Sequence, residues 1–464
     1  MRWLDIPIGA KVFENIDEAV LTQASAAIEN GYINEADGVS RFPGLIEFST
    51  LHGAAPVHLY DWKGDLIAAS GDGRVYRIDN AGNAESVTGV PVSGGRRVVF
   101  DKTEDELLLA AGGPIIRLAN GKTEILSEDA PDSTHIAYID GYVIALEVNS
   151  GRFYHSQAGE FRVWGPLDVF TADGKPDDLN ALLVTDFREL ILTGIDSIEQ
   201  FERLPSGDTP FFRRWTVGEG VRAPYTLVGA DNGTWAINKK YEFVRLSGQT
   251  SVPASDDISQ TLESVSDWNG AWSALLHIGG QKFILLQIPN AQNIHGSKGI
   301  TALFDYRRRK WTRLYGWADG RPVRWPGWSY RALWGRHFVG GNGKVYELDR
   351  AACDNLGDPQ RFLVRTAHYD NMGEVEIHNF RLRMKRGVVG SNDVIPQISV
   401  RARRDNKTWT RWKRRGLGRA GEREMYVEFG GFGCAHTWQF EVEVTDSCAV
   451  ELVRAQAQMN PLGN

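Results

Sequence analysis

From residue 51 to about residue 350, apolar and polar positions alternate in short runs, each ended by Gly, Asn or Asp. Side chains of a strand point alternately to its two faces, so this period reads as β-strands joined by hairpin turns. Val57–Asp79 displays the unit: a strand up to Lys63–Gly64, a second over Leu66–Ala69 as far as Gly71–Asp72–Gly73, and a third over Arg74–Ile78 ending at Asn80–Ala81–Gly82. The same order returns in Arg96–Ser127 and Thr134–Gly165, and more loosely in later segments up to Asp349. A recurrence of about 35–45 residues with three or four strands per unit is the spacing of β-propeller blades. Six or seven blades fit. Each blade has two apolar faces and buries both only by stacking with neighbours in a closed ring. The recurrent aromatics Tyr60, Tyr138, Tyr154, Phe187, Trp235, Tyr306 and Tyr346 are expected to pack between blades.

The two ends read differently. Residues 1–50 form an entry arm, in which Asp17–Asn30 (DEAVLTQASAAIEN) predicts a helix and Gly31–Ser49 short strands. The repeat stops near Arg350–Pro359, and 351–464 carries longer period-two runs: FRLRMKRGV, QISVRARR, TRWKRRGL, REMYVEFGG, HTWQFEVEVT and AVELVRAQAQM. Such strands over about a hundred residues suggest a β-sandwich. The chain therefore reads as all-β: an arm (1–50), a β-propeller (51–350) and a C-terminal β-sandwich (351–464).

Charge adds an asymmetry. The 464 residues carry a net charge of −7, but residues 361–464 hold 17 Lys and Arg against 12 Asp and Glu, or +5, which leaves −12 on the first 360. Within 381–419 there are 13 basic residues and 2 acidic ones. Arg381, Arg383, Lys385, Arg401, Arg403, Arg404, Arg411, Lys413 and Arg415 are the candidate contact residues, because alternate charges on neighbouring strands gather on one face. Such a face can meet an acidic protein surface, the preferred reading, or DNA phosphates without reading sequence, or only solvent. A Trp-rich segment holding Trp311, Trp317, Trp325, Trp328 and Trp334 is expected to pack the last blades, with an exposed docking patch as the other reading.

Signs of catalysis are sparse. The chain has no GxxxxGK[ST], GxSxG or HExxH motif, its ten His are scattered, and Cys353, Cys434 and Cys448 form neither a zinc pattern nor a disulfide framework. No catalytic residue, metal or cofactor is expected, and the sparse cysteines fit folding in a reducing cytoplasm. The N-terminus lacks the apolar stretch of a signal peptide, and no run of residues suits a membrane span. The acid pairs Asp186 with Glu189, Asp196 with Glu199, and Asp256 with Asp257 read as surface turns. A propeller glycosidase or sialidase acting on host glycans, with acids converging in the central funnel, is the alternative.

Two sets of motifs carry a family resemblance. Near the C-terminus, Trp409 is followed by Arg415, Leu417, Gly418 and Gly421, and then by Phe440, Val444, Thr445, Asp446, Val450 and Leu452. Near the start stands Arg41–Phe42–Pro43–Gly44–Leu45. This order resembles the podovirus tail-hub proteins, also called nozzle or packaged-DNA stabilisation proteins of short-tailed bacteriophages. The turn Asp405–Trp409 is one residue shorter than the family's Asp-box-like turn, and Gly430–Gly433 stands where a basic loop is usual. The resemblance implies a structural, non-enzymatic subunit made in the host cytoplasm and built into the virion tail. It implies a homo-oligomeric ring, with six copies the expected number, below the portal and its adaptor. Such a ring closes the DNA exit channel after packaging, passes double-stranded DNA without sequence recognition, and anchors fibres or spikes.

Overall fold

The computed structural model describes residues 2–8, 27–172, 174–204, 210–386, 395–418 and 424–462, and the regular secondary structure of these is almost all strand. Of the expected helix Asp17–Asn30, residues 17–26 lie outside the described residues, and Ala27–Glu29 is a strand. Paired to partners on both sides, that segment satisfies its backbone in a ladder rather than in a helix.

Seven antiparallel blades follow one another among the described residues. Their first strands are Val57–Trp62, Val99–Lys102, Ser133–Ile139, Ala181–Val184, Val228–Ala230, Trp272–Ile278 and Ser329–Leu333, which begin blades 1 to 7. Alternation along each strand feeds two different interfaces. In blade 2, Leu107 and Leu109 pack on Ile67 and Ala69 of blade 1, whereas Leu108 and Ala110 pack on Ile136 and Val143 of blade 3. In blade 6, Ile284 and Leu286 meet Trp235 and Phe243 of blade 5, while Phe283 and Leu285 meet Val339 and Tyr346 of blade 7. Blades 3 and 4 join through Phe153, Leu192 and Phe211, and blades 4 and 5 through Ile191, Ile198, Ala236 and Val244. Blade 7 returns to blade 1 through Phe338 and Val345 against Val57 and Leu59, so the ring closes. Each buried Val, Leu, Ile or Phe among these contributes about 1.5–3 kcal/mol.

Closure uses the N-terminal segment. Blade 7 takes Ser329–Leu333, Arg336–Gly340 and Lys344–Asp349 from the end of the repeat and its outer strand, Gly44–Thr50, from the segment read as arm. One sheet thus ties both ends of the ring. A Cβ at Gly44 would lie 2.3 Å from the Asp354 carbonyl oxygen, so only glycine lets the chain pass there.

The C-terminal region is a sandwich whose two layers share one bent strand. REMYVEFGG and HTWQFEVEVT, read as two strands, are continuous over Glu424–Val444. Positive φ at Gly431 (+72°) and Gly433 (+84°) lets the strand turn the corner without breaking. Its first half pairs with Tyr369–Arg386, and its second with Phe362–Arg365 and Gln397–Arg404. Phe380 stacks on Phe440 at 4.2 Å across the core, with Leu382, Met384, Val400 and Val442 around them. The arm fastens this sandwich to the ring. Ala27–Glu29 lies between Lys310–Arg313 of blade 6 and Phe362–Arg365, and Arg2–Ile6 pairs with Val450–Pro461.

Candidate functional site

The nine basic candidates do not share one face, because the bent strand distributes them over different surfaces. Arg381, Arg383 and Lys385 project from the outer face of Tyr369–Arg386, and that face is neutralised within the chain. Arg381 donates to Gln456 at 2.7 Å and lies 3.8 Å from Glu428. Arg383 pairs with Glu424 at 2.5 Å and Lys385 with Glu451 at 3.1 Å. Arg381 is also held over Trp3 at 4.2 Å and Tyr426 at 4.9 Å.

Arg401 is also committed inside the chain. Glu441, whose side chain is 0% exposed, pairs with both Arg401 and Arg365. Both guanidiniums cover the Trp409 ring, and Arg401 covers Trp412 as well. The conspicuous Trp409 of the C-terminal motif therefore walls a buried charge cluster. One step along the sheet, Arg361 bridges Glu443 at 2.7 Å and Glu29 at 3.3 Å, which links the sandwich to the arm. Burial pushes the Glu29 carboxyl up, but the His295 hydrogen bond and the Arg361 charge outweigh it and hold the group below its ordinary value.

The rest of the basic set is different. Arg403, Arg404, Lys407, Arg411, Lys413, Arg414 and Arg415 have no carboxylate in ion-pair range among the described residues. They sit at one sandwich edge, formed by the end of Gln397–Arg404, the turn after it and the edge strand Lys413–Gly416. Their hydrogen bonds go to carbonyls: Arg403 to Asn406 and Lys407, and Lys413 to Gly430 and Gly431 at the strand corner. Asp405 in their midst accepts from the His436 and Thr437 backbone, and these bonds hold its carboxyl low. Cations along an edge strand discourage another strand from pairing there, yet leave the charge free for a partner.

The two motifs of the family resemblance meet in space. Arg41 is buried and donates through Nη1 to the Asp446 carbonyl at 2.6 Å and the Cys448 carbonyl at 2.8 Å. Its Nε donates to the Gln360 side chain at 3.2 Å and its Nη2 to the Gln360 carbonyl. Phe42 and Leu45 meanwhile enter the core between blades 6 and 7 against Trp325. The R-F-P-G-L element is thus the clasp between ring and sandwich.

At one end of the ring axis, Arg97 reaches from blade 2 to the far side. It donates to the Trp328 carbonyl at 2.7 Å and covers Trp272 at 4.8 Å, with its pKa pushed down to about 10 by burial. Beside it, His58 is held well below its ordinary value by burial, and His135, stacked on Tyr225 at 5.1 Å, is pushed down to about 3. The nearby funnel acids are tied across blades. Asp61 pairs with Arg331, and Asp101 accepts from the Tyr138 backbone while burial raises its carboxyl. Of the other acid pairs, Asp196 engages Lys239, Glu199 engages Arg213 and Asp257 engages Lys310. Asp186 and Glu189 line one wall of a cleft described below.

The axial histidines set an acid limit. Unfolded His titrates near 6.5, so below that value the unfolded chain takes up protons that the folded axis refuses. Stability therefore rises with pH between about 3 and 6.5 and levels off above. From His135 alone the loss at about pH 4.5 is on the order of 2–3 kcal/mol. Guanidinium unfolding at neutral and acid pH checks this: His135→Phe, which keeps the ring stack, should lose distinctly less stability on acidification than the parent chain. Equal losses would remove His135 as the cause.

The tryptophans of 311–334 mostly pack. Trp325 is fully buried, Trp311 lies against Phe243 and Phe304, and Trp334 against Phe338. Tyr60, Tyr138, Tyr154, Trp235, Tyr306 and Tyr346 lie between blades as expected. Phe187 does not: it is 64% exposed.

No protein-family model matches the chain, and no curated protein matches it in sequence. Among solved structures, a streptogramin B lyase aligns over 65% of this chain and 96% of its own, at 11% identity and a TM-score of 0.44. The WD40 β-propeller domain of Doa1 aligns over 66% and 96%, at 12% identity and 0.40. YCF48 from Cyanidioschyzon merolae aligns over 66% and 99%, at 11% identity and 0.41. These are β-propeller likenesses of architecture alone. The propeller itself stands on the chain's own strand pairing and on the seven interfaces between its blades. Among the described residues no helix is long and apolar enough to cross a membrane.

Proposed function

We propose that the chain is a ring-forming structural subunit of a short-tailed phage tail, the hub or nozzle below the portal and adaptor. The observation that carries this reading is a sandwich edge of seven cations without carboxylate partners among the described residues, in a chain whose first 360 residues have a net charge of −12. A basic edge on one copy complements an acidic surface on the next, and a head-to-tail contact of that kind closes into a ring. The clasp made by the family-like motifs supports the reading, because it fixes the sandwich at a set angle to the propeller, as a closing ring requires. In this proposal DNA passes along the axis of the assembled ring, since the axis of each propeller holds Arg97, and fibres or spikes dock outside. A glycan-cleaving propeller is less favoured, because Asp61 and Asp101 in the funnel already serve as ties between blades.

Native mass measurement of the purified protein, alone and mixed with portal–adaptor complex, tests the proposal. A ring is expected that dissociates as salt screens the contact. Reversing Arg411, Arg414 and Arg415 to Glu should abolish it while leaving the melting temperature nearly unchanged. A chain that stays monomeric at high concentration and joins no portal–adaptor particle would overturn it.

A further inference from the structure

The interface between blades 4 and 5 is not filled like the others. Its apolar contact comes from a few side chains of moderate size, and Gly229 and Gly233 contribute none. A cleft of about 280 Å³ runs there from the Thr185–Glu189 turn, past Trp215, to the Ser247–Ser251 turn. This lies just below the roughly 300–1,000 Å³ of drug-sized ligand sites, room for one small ring and too small for a folded partner.

Two polar side chains on its walls lack partners. Gln200 is 3% exposed and Thr234 is 5% exposed, both line the cleft, and neither side chain makes a hydrogen bond among the described residues. Their polar atoms open onto the cleft, where water or a ligand satisfies them. Around them stand Asn232 and the hydroxyls of Thr250 and Ser251, which donate to the Ser247 carbonyl and the Glu219 carboxylate and keep lone pairs to accept with, together with the Trp215 ring, and the exposed Phe187 lines the same cleft. The lining includes Asp186 and Glu189 but no Lys or Arg, so nothing there would neutralise a phosphate or sulfate.

We propose that this cleft binds a neutral sugar. A pyranose offers an apolar C–H face to an aromatic ring and a rim of hydroxyls that both donate and accept, as the Gln200 amide and Thr234 hydroxyl require. Asp186 and Glu189 stand on one turn and hence on one wall, whereas glycoside hydrolysis needs two carboxyls on opposite sides of the bond; the site holds the sugar and does not cleave it. The inference is independent of the ring proposal.

Saturation-transfer NMR on the full chain, with glucose, galactose, mannose, N-acetylglucosamine and maltose as probes, is the test. At least one sugar should bind, and glucose 6-phosphate should bind no better than glucose. Gln200→Leu, which keeps the volume, should weaken the bound sugar about tenfold, while its melting temperature stays at or above that of the parent. Thr234→Val guards against an unexpected folding effect of the first change and should also weaken binding. Silence from all five sugars, or affinities unmoved in both variants, would overturn the proposal.

Discussion

Arg41→Met should lower unfolding free energy by about 3–5 kcal/mol, among the largest single-residue effects expected in this chain. Methionine keeps the apolar stem but removes every donor. The carbonyls of Gln360, Asp446 and Cys448 then lose the guanidinium that satisfied them, and Gln360 and Cys448 are at most 1% exposed. An unsatisfied buried acceptor costs about 1–3 kcal/mol, so a sum in the stated range is reasonable. No carboxylate pairs with Arg41 among the described residues, and burial lowers its pKa, so its contribution lies in fork geometry rather than in charge pairing. Arg41→Lys, with one ammonium in place of a planar fork, should recover less than half of the loss. Guanidinium unfolding supplies the free energy, and native-state hydrogen exchange locates it. Protection should fall first in Val450–Pro461 and the arm strands, and last in blades 2 to 4. Unchanged curves for Arg41→Met would refute the clasp.

Glu441→Gln should cost a similar amount, again about 3–5 kcal/mol, because it leaves two guanidiniums without their shared anion. The amide has nearly the same shape, so the change isolates charge. Arg365 over Trp409, and Arg401 over Trp409 and Trp412, would keep their ring contacts with 28% and 24% of their side chains exposed, facing a Glu441 position that is 0% exposed. Replacing the whole set, with Glu441→Leu, Arg365→Met and Arg401→Met together, should cost much less than the single change, since an apolar set of similar volume needs no pairing. Chemical denaturation of the single and triple variants gives both values. A triple variant less stable than Glu441→Gln would mean that the cluster supports the sandwich in some way other than mutual pairing.

The same residues show how far a strand pattern reaches. Arg381, Arg383 and Lys385 were placed on one face by their spacing, and they are on one face. Their neutralisation by Glu424, Glu428 and Glu451 depends on which strands lie beside them, and period-two spacing carries no information about neighbours. Arg404 and Lys413 lie off that face for another reason. Arg404 stands at the exposed end of its strand, in register with Trp438, and Lys413 caps a corner made by glycines that read in sequence as a gap between two strands. Arg41 could be singled out only through the family-like motif; composition would have placed it in solvent, where most arginines lie. Gln200 and Thr234 carried no local signal, because their lack of partners is a property of the facing blade.

What the amino-acid order determined alone is the set of strands, their turns, the recurring blade and the change to longer strands after residue 350. Those features follow from alternation and turn chemistry between residues close in the chain. What only the tertiary structure decided is the closure of blade 7 by Gly44–Thr50, the junction of Arg41 with Asp446, the cations that find no carboxylate among the described residues and the cleft between blades 4 and 5. Each depends on groups far apart in the chain. A strand's sequence states which side chains share a face, while the surface that comes to lie against that face is set by the packing of the whole ring and sandwich.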